Sequence, residues 1–159
     1  MSAQEIIEKL QLKSHPEGGY YKETYRSEQK IELVEGASRN LSTTIYYLLE
    51  KDNKSHFHRI KSDEFWFFHQ GEAMEIVFLE DQKMNVINLG NNLNKGEVPQ
   101  AWIPANTWFA ASVKEGKGYS LVSCTVAPGF DFNDFELAKK ENLIQEFPQF
   151  ETIIEKYSH

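Results

Sequence analysis

Three residues whose side chains bind metals or transfer protons lie close together near the middle of the chain: His56, His58 and Glu64. Because side chains alternate between the two faces of a β-strand, His56 and His58 point the same way if this segment is extended. Glu64 begins the next apolar run, so a hairpin would bring its carboxylate toward both imidazoles. Two imidazoles and a carboxylate suit zinc, iron, manganese or nickel, whereas a neighbouring His and Glu also transfer protons near neutral pH. The pattern therefore predicts a metal site or an acid–base pair.

These residues lie in a region, residues 18–130, that the sequence predicts to be a β-barrel. Short runs rich in aromatic and β-branched residues alternate there with turn-forming residues, which favours an antiparallel sandwich or barrel. Residues 27–41 are polar and predict a loop. The predicted strands cover residues 20–26, 42–50, 54–60, 64–70, 73–80, 84–89, 99–103, 107–113 and 118–127.

Helices are predicted at both ends of the chain. Apolar residues at helical spacing and a capping box predict a short amphipathic helix over residues 2–12. Helical segments are predicted over residues 133–157, with Pro148 as the first residue of the last one. The expected fold is therefore all-β, in a single domain over residues 1–159 with short terminal helices.

Composition limits the classes of partner. The formal net charge is −7, so the chain as a whole does not attract nucleic acid or anionic lipid, and we expect a small-molecule ligand instead.

Cys124 is the single cysteine, which excludes an internal disulfide, and its apolar surroundings predict an inert buried thiol. The chain begins without a basic, then apolar, leader pattern and contains no membrane-length apolar run, so a cytoplasmic location is expected.

The run from His56 to Gly71 resembles the first conserved motif of the cupin superfamily. The segment from Pro104 to Phe109 corresponds to the second cupin motif, with Phe109 at the position where metal-binding cupins have a histidine. A phenyl ring does not bind a cation. The resemblance therefore implies that His56, His58 and Glu64 would form an incomplete, weak metal site, and no cofactor is expected.

A closer resemblance covers residues 5–145 and rests on several unusual motifs. The residues from His15 to Ser27, which begin His-Pro-Glu-Gly-Gly, are similar to a small-cupin branch long catalogued as a domain of unknown function. Further matches are Ser42–Leu49, Asp63–Trp66 and Val126–Phe132. The resemblance implies a cupin jelly roll, commonly a homodimer, that shares its shape with dTDP-sugar epimerases.

The likeness to sugar epimerases implies a metal-independent reaction in which a barrel histidine removes a proton beside a keto group. Such a reaction requires a base near neutral pKa, an opposing acid and hydrogen-bond donors. We expect His58 to be the base, Glu64 its partner or an acid, and Tyr46 the opposing acid. Trp66 and Trp108 have two interpretations: their rings contact the ligand as an apolar surface, or they pack in the core. The residues predicted to contact the ligand are His56, Arg26, Trp66, Gln100, Trp108 and Phe109.

The first predicted strand, residues 20–26, has two chemically different faces. One face carries Tyr21, Glu23 and Tyr25, and the other includes Lys22 and Arg26. If the second face meets the pocket, Lys22 and Arg26 would form a local anion site. If it does not, they are solvated charges on an edge strand.

Three functions remain open at this point. The first is an isomerase or epimerase acting on a sugar, a nucleotide sugar or a related carbonyl compound. The second is a dioxygenase-like cupin metalloenzyme, and the third is a ligand-binding protein without catalytic activity. A purely structural role for His56 and His58 at a sheet end is the remaining alternative.

Overall fold

Two antiparallel sheets face each other in the computed structural model, which describes residues 1–159. The strands are β1 (Lys13–Ser14), β2 (Tyr20–Arg26), β3 (Lys30–Glu32), β4 (Ser38–Asn40), β5 (Thr43–Glu50), β6 (Lys54–Arg59), β7 (Asp63–Gly71), β8 (Met74–Glu80), β9 (Lys83–Leu89), β10 (Gln100–Ile103), β11 (Trp108–Val113), β12 (Tyr119–Ala127) and β13 (Glu136–Leu137). One sheet has the order β1-β2-β5-β12-β7-β10 and the other β13-β6-β11-β8-β9, while β3 and β4 form a separate hairpin. The prediction of an all-β jelly roll with short helices is confirmed.

Short helices cover the outer faces of the two sheets. They are α1 (Ala3–Leu10), α2 (Lys140–Glu146) and α3 (Glu151–Lys156). Ser2 and Glu5 form the capping box that starts α1, which packs against the outer face of the six-stranded sheet through Ile6. The helices α2 and α3 cover the other sheet, where Ile154 and Tyr157 are buried. No helix reaches the length and hydropathy that a bilayer span requires.

Side-chain alternation determines which residues of each strand point into the space between the sheets. On β5, Ile45 and Tyr47 point inward, whereas Tyr46 and Leu48 point outward and pack beneath α1. One end of the space between the sheets is filled by a core that includes Trp66. The other end is left open and forms a cavity.

Three segments differ from the prediction. Residues 13 and 14, which lie outside the predicted strands, form β1. Residues 27–41, expected as a loop, contain the β3–β4 hairpin, whose short, mostly polar strands show no hydrophobic alternation. Residues 133–139, expected as helix, contain a turn and then β13, which pairs with β6, so α2 begins only at Lys140. Phe132 and Phe135 have helical spacing, but both rings line the cavity and do not pack along a helix face.

The turn from His15 to Gly19 is wedged between the two sheets. Gly18 has φ +112° and Gly19 has φ +76°, a region that side-chain-bearing residues rarely adopt. The backbone N–H of His56 donates to the Glu17 carbonyl at 2.8 Å, and the Tyr47 hydroxyl donates to the Gly18 carbonyl. The turn is thereby attached to β5 and β6, and it holds the Glu17 side chain inside the barrel.

Gly18→Ala is expected to lower the free energy of unfolding by about 4 kcal/mol. A Cβ at this position would lie 1.9 Å from the carbonyl oxygen of Lys54, which belongs to the backbone and cannot move aside. Gly36→Ala is the matched control, because Gly36 also has a positive φ, +88°, but no atom lies within 4 Å of its added Cβ. The control should lose only about 1–2 kcal/mol. Equal losses in urea denaturation would contradict a steric role for the turn.

Candidate functional site

A cavity of about 820 Å³ opens between the two sheets at one end of the barrel. This volume lies in the range of about 300–1,000 Å³ that is typical of small-molecule sites. Glu17, His58, Glu64 and Cys124 are buried ionisable residues in its wall. The cavity therefore combines a large space with ionisable groups that are shielded from water.

Glu17 and His58 form a buried ion pair. The Nε2 atom of His58 lies 2.6 Å from the Oε2 atom of Glu17, and the two side chains are only 2% and 8% exposed. The Nδ1 atom of His58 lies 2.7 Å from the carbonyl oxygen of His56. Because a carbonyl oxygen only accepts hydrogen bonds, Nδ1 carries a hydrogen, and the second ring nitrogen shares a proton with Glu17.

The pair holds both partners in their charged forms. Burial, the largest single cause, would raise the pKa of Glu17, but the charges of His58 and His15 together with hydrogen bonds from His58 and Tyr47 keep this pKa below its ordinary value. Burial alone would lower the pKa of His58, but the Glu17 charge and hydrogen bond raise it instead. Each partner therefore favours the charged form of the other, a carboxylate in contact with an imidazolium.

The pKa of Glu64 is displaced upward, opposite to that of Glu17. Burial first, and then the negative charge of Glu17, raise the pKa of Glu64 from 4.5 to about 7. The neighbouring Cys124 thiol is also buried, and burial raises its pKa well above the ordinary value, so the thiol stays protonated. Glu64 is therefore a group in this cavity that gains and loses a proton near neutral pH.

Aromatic rings fix the orientation of the His58 imidazole. The ring of Phe109 lies 4.1 Å from it between centroids, and the ring of Phe135 lies 5.5 Å from it. His15 supports the partner carboxylate, because its Nδ1 atom accepts the backbone N–H of Glu17 at 3.1 Å. These contacts leave His58 little freedom to turn away from Glu17.

Of the residues predicted to form the site, the cavity wall includes His58, Glu64 and Arg26. Arg26 arrives there because an irregularity in the pairing of β2 with β5, between Glu23 and Tyr25, shifts the alternation. Arg26 therefore shares the inner face with Tyr21 and Glu23, not the face predicted from strict alternation. Its guanidinium donates to Glu23 at 2.6 Å and to the carbonyl of Phe130 at 3.1 Å.

Two residues predicted to act on the ligand lie on the outside of the barrel. Tyr46 points outward under α1, and its neighbour Tyr47 has the inward position. Gln100 is exposed on β10, where the inward positions belong to Ala101 and Ile103. Both residues have the outward position in their strands, because a shift by one residue moves a side chain to the opposite face of the sheet.

The aromatic residues predicted as ligand contacts are core residues. Trp66 packs edge-on against Tyr47 and Phe109 in the closed end of the barrel. Trp108 faces the other side of its sheet, where the Arg59 guanidinium lies 4.3 Å from its ring. Phe109 supports His58 from behind and does not line the cavity. Both tryptophans therefore lie where the core-packing interpretation places them, and neither lines the cavity.

The three residues predicted as metal ligands do not meet at one point. The Nδ1 atom of His56 lies 2.8 Å from the carbonyl oxygen of Glu17, and its ring packs on His159, outside the cavity wall. Both ring nitrogens of His58 already have partners. The structure contains no group of three or more His, Cys, Asp or Glu side chains arranged to hold a metal ion. The arrangement of His56, His58 and Glu64 does not fit a metal centre.

Glu17 is the functional residue that the sequence reasoning missed. Its signal was the His-Pro-Glu-Gly-Gly run, in which a carboxylate directly precedes two glycines. Adjacent glycines indicate a turn that passes close to other backbone, and here this turn lies between the sheets. A charged residue beside such a turn can therefore be buried against residues that are distant in the sequence.

Comparisons with known proteins show which family and fold this chain resembles. Residues 4–138 match the family model described as Cupin superfamily (DUF985). An uncharacterised protein of Saccharomyces cerevisiae is 33% identical over 155 residues, which cover 89% of this chain and 77% of the yeast protein.

Solved structures show the same fold. A hypothetical protein from Leishmania major has a TM-score of 0.94 at 37% identity, with 100% of this chain and 99% of that chain covered. A protein from Shewanella oneidensis has a TM-score of 0.93 at 38% identity, with coverage of 100% and 98%. Oxalate decarboxylase from Bacillus subtilis is more distant, with a TM-score of 0.57 and 14% identity over 91% of this chain and 36% of that chain. At that identity the likeness shows the fold alone.

His58→Asn is expected to lower the free energy of unfolding by about 3–5 kcal/mol, because Glu17 would remain buried without its partner. Adding Glu17→Gln to the same chain should restore part of this loss, since no buried charge is then left alone. Glu136→Gln is the control, because its ion pair with Arg59 is exposed and should contribute less than about 1 kcal/mol. Equal losses for His58→Asn and the control in urea denaturation would contradict a buried ion pair.

Glu64→Gln is expected to stabilise the protein above pH 7 and to remove part of its pH dependence. The folded carboxyl keeps its proton up to about pH 7, whereas the unfolded one releases it near 4.5, so wild-type stability falls as pH rises through this window. The shift corresponds to about 3 kcal/mol. Glu80→Gln, at an exposed strand end, makes the same charge change and should leave the slope unaltered. An unchanged slope in Glu64→Gln would contradict the raised pKa.

Proposed function

This chain belongs to the DUF985 family of the cupin superfamily, and we propose that it is a metal-independent isomerase acting on a sugar or related carbonyl compound. The reaction is the transfer of a proton between neighbouring carbon atoms beside a carbonyl group. Glu64 and the Glu17–His58 pair carry the two proton transfers that this reaction requires.

One observation carries the proposal: the cavity contains two buried carboxylates whose pKa values are displaced in opposite directions. Glu17 stays ionised beside His58, whereas Glu64 titrates at about 7. Separated pKa values in one pocket are typical of an acid–base pair with divided roles. A group with a pKa near the working pH is also the most effective proton carrier, because both of its forms are populated.

The atoms of the reaction balance without an oxidant or a metal. Glu64 takes the proton from the carbon next to the carbonyl, and the carbonyl oxygen takes the proton that Glu17 and His58 share. The product of this step is an enediol. The neighbouring hydroxyl then returns a proton to Glu17 and His58, and Glu64 delivers its proton to the former carbonyl carbon. The same two groups therefore act in both halves of the reaction.

The geometry favours a mechanism in which one carboxylate acts as the base at carbon. It favours this over a mechanism in which a base and a tyrosine act from opposite faces of the substrate. Tyr46, expected as the opposing acid, lies outside the barrel. The inward Tyr47 donates its hydroxyl hydrogen to the Gly18 carbonyl, and burial raises its pKa well above the ordinary value. With that proton engaged in the turn, Tyr47 is not placed to donate it to a substrate. An isomerisation by a single carbon base therefore suits the site better than an epimerisation across two faces.

The positions of the histidines support a reaction without a metal. A metal ion would require free ring nitrogens on His56 and His58, and both nitrogens of His58 are occupied by Glu17 and a backbone carbonyl. The proposed roles therefore require only the residues of this chain.

Deuterium incorporation from D2O into a panel of aldoses, ketoses and their phosphates tests the proposal. The wild-type protein should label the carbon beside the carbonyl of at least one compound, as detected by NMR. Glu64→Gln should slow this exchange by about 10²-fold or more, because the carbon base is removed while its size is retained. Glu80→Gln is the matched control and should retain full exchange.

Two other outcomes would overturn the proposal. Exchange that is lost after dialysis against EDTA and restored by a divalent metal would favour the metalloenzyme alternative. A compound that raises the melting temperature but exchanges no proton in any condition would favour a ligand-binding protein, since a ligand at 100 times its Kd stabilises by about 2.7 kcal/mol.

A further inference from the structure

Two lysines at the mouth of the cavity have no anionic partner. Lys13 and Lys22 both line the cavity, and neither takes part in an ion pair. Lys22 Nζ donates to the neutral Gln11 side chain at 2.9 Å, which holds the ammonium at the mouth without neutralising it. Two uncompensated positive charges at one opening are unexpected in a chain whose net charge is −7.

The strand pairing places the two lysines on the same edge of the six-stranded sheet. Lys13 lies directly opposite Tyr21 in the pairing of β1 with β2, so its side chain is on the cavity side. Lys22 is paired with Tyr46, so its side chain leaves the outer face of β2, beside the free edge that lies before β1 begins at Lys13. Its ammonium donates to Gln11, and both residues line the cavity at this edge, where an entering molecule can also contact Lys13.

Most of the other charges around the mouth are compensated. Arg26 is paired with Glu23 at 2.6 Å, whereas Arg39 is bound by Asp134 at 2.8 Å and lies 4.0 Å from Asp131, so Asp131 is only partly compensated. Deeper in the cavity, Glu17 is paired with His58. The positive charge that remains for a ligand is that of Lys13 and Lys22, not the Lys22 and Arg26 pair suggested by the strand pattern.

An uncovered apolar surface lies at the same mouth. Phe132 lines the cavity although its side chain is 53% exposed, and its ring packs edge-on against Phe130 at 4.9 Å. Tyr21 contributes a second aromatic ring to the cavity wall. An exposed aromatic ring in a concave site loses its contact with water when an apolar group binds against it.

We propose that the ligand of this cavity is an amphipathic organic anion: a phosphate or carboxylate group that binds Lys13 and Lys22, joined to an apolar body that lies against Phe132 and Tyr21. This inference rests on the proposed function only in taking the cavity as the substrate site. It names the substrate class as an acidic or phosphorylated carbonyl compound, since a neutral sugar would leave both lysines without a partner.

Calorimetric titration with four small probes tests the inference. Phenyl phosphate and phenylacetate carry both features, inorganic phosphate carries only the charge, and benzyl alcohol carries only the ring. At least one of the first two should bind with a Kd about tenfold or more below both single-feature probes, and added salt should weaken it. Comparison of phenyl phosphate with phenylacetate distinguishes a phosphate ligand from a carboxylate ligand.

Substitutions locate the binding. Lys13→Met with Lys22→Met should raise the Kd of the tighter probe by about tenfold or more, because the aliphatic stems are kept and the charges removed. Lys83→Met, at an exposed position on β9 of the other sheet, is the control and should leave the Kd unchanged. Phe132→Ala should raise the Kd of phenyl phosphate or phenylacetate but not that of inorganic phosphate.

Failure of this inference and failure of the proposed function give different results. Absence of binding by both phenyl probes at millimolar concentration, or an unchanged Kd in the double lysine variant, would overturn the anion site. Deuterium exchange on neutral sugars at an unchanged rate in that variant would overturn it as well, while leaving the isomerase intact. Binding that depends on the lysines, in a protein that exchanges no proton, would support the anion site and overturn the isomerase.

Discussion

The buried contact between Glu17 and His58 is the interaction on which the rest of the site depends. Two charges in a protein interior are tolerated only when they are paired and hydrogen-bonded, and here the His56 carbonyl and two aromatic rings complete the arrangement. The pair joins the turn before β2 to the strand β6, which are distant in sequence. It therefore fixes the end of the barrel where the cavity opens and keeps that end polar.

The same pair sets the chemistry of its neighbour. The negative charge of Glu17 adds to burial in raising the pKa of Glu64 to about 7, so one carboxylate stays ionised while the other titrates at neutral pH. This division of roles is the basis of the proposed isomerase. The anion site proposed at Lys13 and Lys22 lies in the same cavity as these carboxylates.

Patterns of hydrophobicity predicted the fold because they report directly on burial. The strands from β5 to β12 agree with the sequence prediction, since each has an alternating or continuous apolar run between turn residues. The strand β1, the β3–β4 hairpin and β13 were missed, because strands of two or three residues leave no periodic signal. A helix was predicted from residue 133 onward, but residues 132–137 form a turn and β13, and the rings of Phe132 and Phe135 line the cavity.

The sequence by itself determined the jelly-roll class and the presence of His58 and Glu64 in one barrel, because strand alternation and the cupin-like run are local properties. Tertiary structure alone decided that Glu17 is the partner of His58, that Tyr47 and not Tyr46 faces inward, and that His56 lies outside the cavity. The physical reason is that a buried charge takes its partner from whichever strand packs against it. A one-residue shift in register, which leaves the hydrophobic pattern almost unchanged, exchanges the inside and outside of a sheet.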